Sequence, residues 1–333
     1  MKAISFRPMS LEDKGAVFKL FEECFGHPVD EAWWEWKYGE GPYKKGLNLL
    51  AEVDGVVAGH YGAYSLRCVT ADGDGFWVNQ IGDVMISPRF RGVGVGKGSL
   101  IAKLTHAFYD RCCQGVAFNY GCPSERHARL GRVLLDYKVL DPIMVWELDL
   151  SSWRAPRSMA VRLWGLKALR SIAIGDEPIS EDCASLYQRA AGDFPMSIEK
   201  CEAYLKWRYE KRPGIRYSYI GIRIRGALRL WCVLKECPGS VLEMGELLFS
   251  LKDRLSLVLL LDFLQKNFPD RRLRLWCNPH VDAATVILRG LGFVPSPHRE
   301  KISLTITLFK GHVFSPMSIQ RGFFYQLGDF DLF

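Results

Sequence analysis

An internal repeat is the feature that most constrains the fold of this 333-residue chain. Three blocks of the first half recur in the second half in the same order, with loops of different length between them. The pairs are Trp36-Lys-Tyr38 and Trp207-Arg-Tyr209, Gly82-Asp83 and Gly245-Glu246, and Leu135-Asp-Tyr137 and Leu291-Gly-Phe293. One such match would mean little, but ordered self-similarity is typical of a duplicated structural unit. The sequence therefore predicts two copies of one fold.

Both copies show the same succession of predicted elements. Apolar periodicity and turn residues predict strands over 3–7, 47–53, 56–68, 76–87, 115–121 and 143–150, and helices over 11–25, 30–38, 97–113 and 125–136. After three strands, the second half continues with a helix over 255–267, a strand over 272–277, a helix over 281–290 and a strand near 302–309. The predicted fold class is α/β, with a mixed sheet flanked by helices in each half. We expect domains over 1–150 and 181–333 with a connector over 151–180.

Bulk composition fits a globular protein of two ordinary domains, with 48% apolar and 24% charged residues. The N-terminus opens with polar residues, so no signal peptide is indicated. Ten cysteines at irregular spacings then favour reduced thiols and a cytoplasmic location over a disulfide framework. The two close Cys/His pairs lack a matching second half, so we expect no metal site.

Charge is divided unevenly between the halves. Residues 1–150 carry 17 Lys and Arg against 19 Asp and Glu, whereas residues 151–333 carry 27 against 18. Such an excess could attract a nucleic acid, an anionic lipid or a phosphorylated substrate, although an ordinary solvated face explains any single cluster as well. Residues 153–175 form a basic stretch that we interpret as a packed helical connector, because its cations are scattered around the helix. We expect neither nucleic-acid binding nor stable membrane insertion.

A glycine-rich turn joins the strand that ends near Ile86 to the helix that follows. It contains the pattern Arg-x-x-Gly-x-Gly at Arg91, Gly94 and Gly96. Glycine lets a ligand approach the backbone closely, and free N–H groups at a helix start form an anion site. The spacing excludes a nucleoside-triphosphate loop, since Gly96-Lys97 is followed by Gly98, and it also fails the dinucleotide pattern. The turn therefore predicts a cradle for a diphosphate, with Arg91 as an added cation.

This strand, turn and helix resemble the acyl-CoA-binding motif of the GNAT N-acyltransferase superfamily. The resemblance implies a splayed, mostly antiparallel mixed sheet in each of two tandem domains, with acetyl-CoA as the acyl donor in the first. It implies cofactor contacts at Met85, Ile86, Arg91, Gly92, Val93, Gly94, Val95, Gly96 and Lys97. The second half has Arg254-Leu-Ser-Leu-Val-Leu at the corresponding place, which would put side chains where backbone must approach phosphate. We therefore expect the second copy to bind no cofactor. The Trp/Tyr block at 33–38 further resembles tandem GNAT proteins of bacterial polysaccharide biosynthesis.

The implied reaction is attack of a primary amine on a thioester, which needs a proton acceptor and a means of polarising the carbonyl. Asp83 is the candidate general base, acting through water; the alternative is a structural cap or ion-pair partner. The family places a tyrosine acid four residues before its Gly-Phe pair, but here that position is Arg132, which stays protonated. Solvent, another group, or a slow or inactive enzyme would each account for this departure.

The predicted acceptor contacts are aromatic and histidine side chains, for which core packing is the alternative explanation. They are Trp33, Trp34, His60 and Tyr61, with Tyr38 a further candidate. The resemblance suggests an amino sugar or a sugar nucleotide as acceptor. Two other functions remain open: a Fem-like aminoacyl transferase that uses charged RNA, and a non-catalytic CoA-binding scaffold.

Overall fold

The computed structural model describes residues 3–41, 43, 47–155 and 171–333. Sixteen strands lie within these ranges. They are β1 Ile4–Pro8, β2 Leu47–Val53, β3 Val56–Thr70, β4 Gly75–Ile86, β5 Val116–Gly121, β6 Lys138–Pro142, β7 Met144–Asp149, β8 Ile172–Asp176, β9 Met196–Ile198, β10 Ser218–Ile224, β11 Ala227–Cys237, β12 Val241–Phe249, β13 Arg272–Trp276, β14 Val294–Pro297, β15 Ser303–Leu308 and β16 Phe323–Phe324.

Nine α-helices lie in the same ranges. They are α1 Lys14–Phe25, α2 Glu31–Trp34, α3 Leu100–Cys112, α4 Glu125–Leu134, α5 Glu181–Ala191, α6 Glu202–Leu205, α7 Arg254–Asn267, α8 Asp282–Gly290 and α9 Pro316–Gly322. The short helices α2 and α6 each continue into one π-helical turn, Glu35–Gly39 and Lys206–Glu210. These two turns carry the repeated Trp-x-Tyr blocks, so the local geometry of the duplication is the same in both halves. Single π-helical turns of this kind are frequent at functional sites.

The strands form two mixed sheets. The first has the order β1-β2-β3-β4-β5-β15-β6, with β9 and β16 attached beside β3, and the second has the order β14-β7-β13-β12-β11-β10-β8. Most neighbours are antiparallel, but β4–β5 and its counterpart β12–β13 run parallel. Helices α3 and α7 pack their apolar faces on the two sheets. The predicted class, two mixed sheets flanked by helices, is confirmed.

The two halves exchange strands. β7, from the end of the first half, pairs with β13 and β14 in the second sheet. β15, from the second half, lies between β5 and β6 in the first sheet. Hydrophobic periodicity predicts that these segments are strands but carries no information about which sheet they enter. The division at residues 150 and 181 stays a prediction about the chain, and the sheets do not follow it.

Stacked tryptophans join the two copies at the centre of the molecule. Trp36 and Trp207 stack with ring centroids 5.1 Å apart and an interplanar angle of 12°. Each indole N–H donates to the backbone carbonyl of the other tryptophan, at 2.7 and 2.8 Å. Buried indole groups need such a partner, and here the repeat supplies it reciprocally. The first repeated block is therefore the contact between the copies.

The observed elements differ from the predicted ones in several places. The sequence pattern missed the short strand β6, and α3 begins at Leu100 rather than at residue 97 because residues 96–98 form a 3₁₀ turn. A helix was predicted over 153–175, but the last residues of this range belong to strand β8. The cations of the predicted helix at Arg157, Arg162, Lys167 and Arg170 lie outside the described residues.

Candidate active site

A gap between two parallel strands creates the main cavity of the first domain. β4 and β5 pair only from Trp77 with Val116 to Gln80 with Tyr120. Beyond this point β4 continues to Ile86 while β5 ends at Gly121, so the strands separate. The cavity in the gap has a volume of about 340 Å³. The splayed strands that the resemblance implies are therefore present.

Asp83 projects into this cavity from a bulge in β4. The pairing register of β3 with β4 shifts between His60 and Gly62, opposite residues 82–85. Asp83 itself has φ +51°, a left-handed conformation that aspartate and asparagine adopt more readily than most residues. Bulges often redirect a side chain beside an active site. The extra residue turns the Asp83 side chain to the cavity wall, where it is 12% exposed.

A buried lysine joins Asp83 to a second carboxylate. Lys37 Nζ donates to Asp83 Oδ2 at 2.8 Å and to Asp331 Oδ2 at 2.5 Å, and Tyr38 Oη donates to Asp83 Oδ2 at 2.6 Å. Burial by itself would lower the pKa of Lys37, but the two carboxylates outweigh it and raise that pKa. Burial opposes the charge on Asp331 as well, yet Lys37 holds its pKa below the usual value. Both groups are therefore ionised at neutral pH.

His60 lies beneath the bulge rather than in the cavity. Its side chain is fully buried, with Nδ1 2.7 Å from the Asp83 carbonyl oxygen and Nε2 2.9 Å from Asn48 Oδ1. Burial lowers the pKa of His60 to about 4, so the ring is neutral at pH 7. Tyr61 is also fully buried and packs on Phe108. Neither of these two predicted acceptor contacts lines the cavity, and His60 lies against the backbone carbonyl of Asp83.

The buried His60 predicts a specific acid sensitivity. An unfolded histidine has a pKa near 6.5, so its depressed folded pKa adds stability that is present above pH 6.5 and lost as pH falls toward 4. We expect wild type to lose about 3 kcal/mol more unfolding free energy between pH 7 and pH 4 than His60→Gln. Urea unfolding at both pH values measures the difference. His27→Gln, at an exposed histidine, is the control; equal losses in wild type and His60→Gln would contradict the assignment.

The predicted tryptophan contacts lie outside the cavity wall. Trp34 is buried and packs between Phe18 and Tyr38, and Trp33 is half-buried with its ring 4.6 Å from Lys37 Nζ. Neither lines the cavity; the aromatic side chain contributed there by the first helices is Phe25. Trp34 is therefore packed in the core, and the Trp33 ring covers the ammonium of Lys37.

The glycine loop lies at the far end of the gap, after β4. Met85 and Ile86 are buried at the end of that strand, and Arg91 Nε donates to the Ile86 carbonyl at 3.2 Å. Gly94 has φ +71°, and a Cβ on it would overlap the Gly98 carbonyl oxygen. Gly92 has open space around it instead. The loop is thus compact at Gly94 and accessible at Gly92.

Several loop amides have no protein partner. The bonds that close the loop use the amides of Val93, Gly98, Ser99 and Leu100. Within the described ranges, no hydrogen bond uses the remaining amides, which are those of Gly92, Gly94, Val95, Gly96 and Lys97. The buried Ser99 hydroxyl, at the start of α3, also lacks a partner. Unpaired donors before a helix N-terminus fit an anionic diphosphate.

A tyrosine and a histidine that line the cavity were not among the predicted site residues. Tyr137 Oη lies 3.4 Å from His127 Nε2 and 3.3 Å from Tyr61 Oη, and both Tyr137 and His127 line the cavity. Burial lowers the pKa of His127 and raises that of Tyr137 to about 12. Arg132, at the position of the family's tyrosine, is exposed on the outside of α4 and does not line the cavity. In the sequence, Asp136-Tyr137 occupies the position of the family's Gly-Phe pair, and this match is the signal that could have identified Tyr137.

The second copy keeps a sealed version of the same cluster. Tyr209 Oη donates to Glu246 Oε2 at 2.9 Å, as Tyr38 does to Asp83. Lys200 pairs with Glu246 and with Asp329, and all three side chains are at most 2% exposed. Burial raises the pKa of Glu246 despite Lys200. The carboxylates of the first cluster are 12% and 19% exposed, whereas those of the second are at most 1% exposed.

The cations of the second half are largely engaged within the protein. Arg223 pairs with Glu177 and Asp182, Arg229 with Asp253, Arg271 with Glu236, and Arg272 and Arg274 with Glu147. Arg208 is buried and donates to backbone carbonyls. These contacts satisfy the cations locally but leave the net positive charge of the second half unchanged.

Comparisons with known proteins agree with this geometry. Residues 5–129 match the family model described as an acetyltransferase (GNAT) domain. Solved structures with the same fold include a GCN5-related N-acetyltransferase from Anabaena variabilis, at 15% identity over 91% of this chain and 72% of that one, with a TM-score of 0.68. A probable N-acyltransferase from Enterococcus faecalis is 13% identical over 92% and 73% of the two chains, also with a TM-score of 0.68. The comparison with curated proteins gave no match.

Residues 5–129 match a GNAT domain by sequence, and the chain as a whole shares the fold of solved GCN5-related N-acetyltransferases. Its two mixed sheets flanked by helices have the arrangement of two tandem GNAT-like domains. It shares that fold with a tandem GNAT protein from the clavulanic acid biosynthesis pathway, at 13% identity over 92% of this chain and 98% of that one, with a TM-score of 0.53. Among the helices that the structure describes, none has the length and apolar character to cross a bilayer.

Proposed function

We propose that the first domain transfers the acetyl group of acetyl-CoA to a primary amine of a small molecule. The observation that carries this proposal is the alignment of three features along β4: the open strand gap, the loop of unpaired amides at its end, and Asp83 on the gap's wall. Amides would hold the diphosphate, the gap would admit the thioester arm, and the cavity would hold the amine. A cytoplasmic location belongs to the same proposal.

The balanced reaction assigns two proton transfers to the cavity. The amine nitrogen forms a bond to the acetyl carbon, the carbon–sulfur bond breaks, the amine loses a proton and the thiolate gains one. Asp83 Oδ1 has no partner among the described residues, so this oxygen can accept the amine's proton directly or through water. We assign protonation of the thiolate to the Tyr137–His127 pair, because Arg132 is remote. Positioned acid and base groups typically contribute about 10²- to 10⁴-fold each.

The second half contributes to the acceptor side of the cavity. Thr305 and Thr307 from β15 line it, as does Leu332. A neighbouring cleft of about 470 Å³, formed mostly by second-half residues, shares Cys122, Ser124 and Leu332 with the cavity. An acceptor larger than its amine could therefore extend across both spaces, which supports the amino-sugar or sugar-nucleotide prediction.

Thermal unfolding with acetyl-CoA tests the cofactor site. At about 100 times its dissociation constant, the ligand should stabilise wild type by roughly 2.7 kcal/mol. Gly92→Asp should abolish this stabilisation by placing a carboxylate beside the diphosphate. Gly92 is the suitable position because a side chain there meets nothing within 4 Å, whereas at Gly94 it would distort the loop. The measurement is the shift in unfolding temperature with and without ligand.

Gly290→Asp is the matched control, since this glycine also has open space but lies on α8 in the second domain. It should keep the full shift. A Gly92→Asp protein that still responds to acetyl-CoA would overturn the loop assignment. Dependence on charged RNA, with steep salt sensitivity, would favour the Fem-like alternative. Tight acetyl-CoA binding without CoA release across an amine panel would favour the scaffold.

A further inference from the structure

The segment 326–333 is fixed against the second domain. Gln326 accepts a hydrogen bond from the Leu247 amide at 2.7 Å and donates to Glu246 Oε1 at 2.6 Å. Arg208 donates to the carbonyls of Gly328 and Phe330, at 2.7 and 2.5 Å. The Phe333 ring lies where a Cβ on Gly245 would be. β12 pairs with β13 only from Val241 to Met244, and this segment lies against the part of β12 beyond that pairing, so it fills the strand gap of the second copy.

From this anchored segment, Asp331 reaches the cavity of the first domain. Its Oδ1 accepts from Gln80 Nε2 at 2.8 Å and its Oδ2 accepts from Lys37 at 2.5 Å. The side chain remains 19% exposed and forms part of the cavity wall. Asp83 shares the same ammonium, so the two carboxylates lie side by side. A position far along the chain thus supplies a charged group to the site.

The charge on the wall is one-sided. Among the described residues that line the cavity, Asp83 and Asp331 are the carboxylates, and none is a lysine or an arginine. Lys37 lies behind them, with no exposed surface, and compensates one of the two charges. Arg208 and Arg212 also act on Asp331, but from the side of the protein interior. The surface that an acceptor meets is therefore anionic.

We propose that Asp331, together with Asp83, binds the acceptor as an ammonium ion and selects amines that carry no anionic group close to the nitrogen. This inference rests on the proposed function and narrows its substrate class. A charge-assisted hydrogen bond to either carboxylate would orient the nitrogen before it loses its proton. A carboxylate or phosphate next to the amine would meet the uncompensated negative charge of this pair in a confined cavity, so α-amino acids are disfavoured as acceptors. A sugar nucleotide would have to keep its phosphates in the neighbouring cleft.

A pair of small amines tests the selectivity. 2-Aminoethanol and glycine differ in whether a hydroxyl or a carboxylate stands near the ammonium. We expect wild type loaded with CoA, which carries no acetyl group to transfer, to bind 2-aminoethanol at least about tenfold more tightly than glycine in an NMR titration. Asp331→Asn should weaken 2-aminoethanol binding by about tenfold or more, whereas Asp331→Glu, which keeps the charge, should retain most of it.

The acetyl-CoA thermal shift, measured on the same three proteins, separates the two proposals. If acetyl-CoA causes no thermal shift in wild type, the proposed function itself is refuted. If the shift persists, three results would overturn the selectivity proposal: no binding of 2-aminoethanol to wild type, equal binding of glycine, or unchanged binding in Asp331→Asn. An unchanged shift in both Asp331 variants also shows that they are folded.

Discussion

Replacing Asp83 with asparagine is expected to lower kcat/KM for amine acetylation by about 100-fold or more, because the variant removes the proton acceptor from the cavity. Asparagine is the suitable replacement, since it tolerates the positive φ of this bulge and keeps an acceptor oxygen for Lys37 and Tyr38. Acetyl-CoA should stabilise the variant as it stabilises wild type, because the loop is untouched. Steady-state CoA release with saturating acetyl-CoA measures the loss.

Asp136→Asn is the matched control for this experiment. Asp136 also has a positive φ, +58°, but it is exposed and lies outside the cavity. Its variant should retain nearly full activity. Activity within a few-fold of wild type in Asp83→Asn would remove Asp83 from the proton transfer and return it to a structural role as the ion-pair partner of Lys37.

Replacing Lys200 with methionine is expected to destabilise the protein by about 3–5 kcal/mol, as removal of one partner from a buried ion pair typically does. Glu246 and Asp329 would be left without their cation at positions that are at most 1% exposed. Lys37→Met should cost less, although the local arrangement is equivalent, because water in the cavity can solvate Asp83 and Asp331. Urea unfolding of both variants at pH 7 measures the difference.

The double variant Lys200→Met with Glu246→Gln is the control, since it removes one of the two stranded charges and should recover part of the loss. The loss in Lys200→Met should also shrink as pH falls, because burial already raises the pKa of Glu246 and protonation removes its charge. An equal cost for Lys37→Met and Lys200→Met would show that access of water does not distinguish the two clusters.

Local patterns in the sequence predicted most elements of the fold. Periodicity and turn residues located the strands β2 to β5 and the helices α3, α4, α7 and α8 to within a few residues. The correspondence of Gly82-Asp83 with Gly245-Glu246 also pointed to equivalent positions, since both acids accept a hydrogen bond from the tyrosine of the Trp-x-Tyr block. These signals are either local in the sequence or repeated within it, so a single sequence is enough to detect them.

The parts that could not be predicted depend on contacts between distant residues. Strand alternation does not distinguish faces on β3, which is buried on both sides, so His60 and Tyr61 looked accessible. Asp331 meets Gln80 only because the segment 326–333 crosses from one domain to the other. The lysine that links the carboxylates lies inside the aromatic block. That block predicts core packing, so nothing in the pattern identified the lysine as a charged group of the site. None of these positions has a local sequence pattern that predicts its place in the site.

The reciprocal placement of β7 and β15 bears on how this duplicated protein could evolve. The second copy has lost the glycine loop, and its own gap is closed by residues 326–333. Nevertheless, that copy supplies an interior strand to the sheet that holds Asp83, and it receives one in return. Mutations could therefore remove ligand-binding residues from the second half without loss of the fold. Deletion of the second half, in contrast, would remove an interior strand from the sheet of the first. Shared β-structure thus explains why an ancestral copy without its ligand loop would be retained.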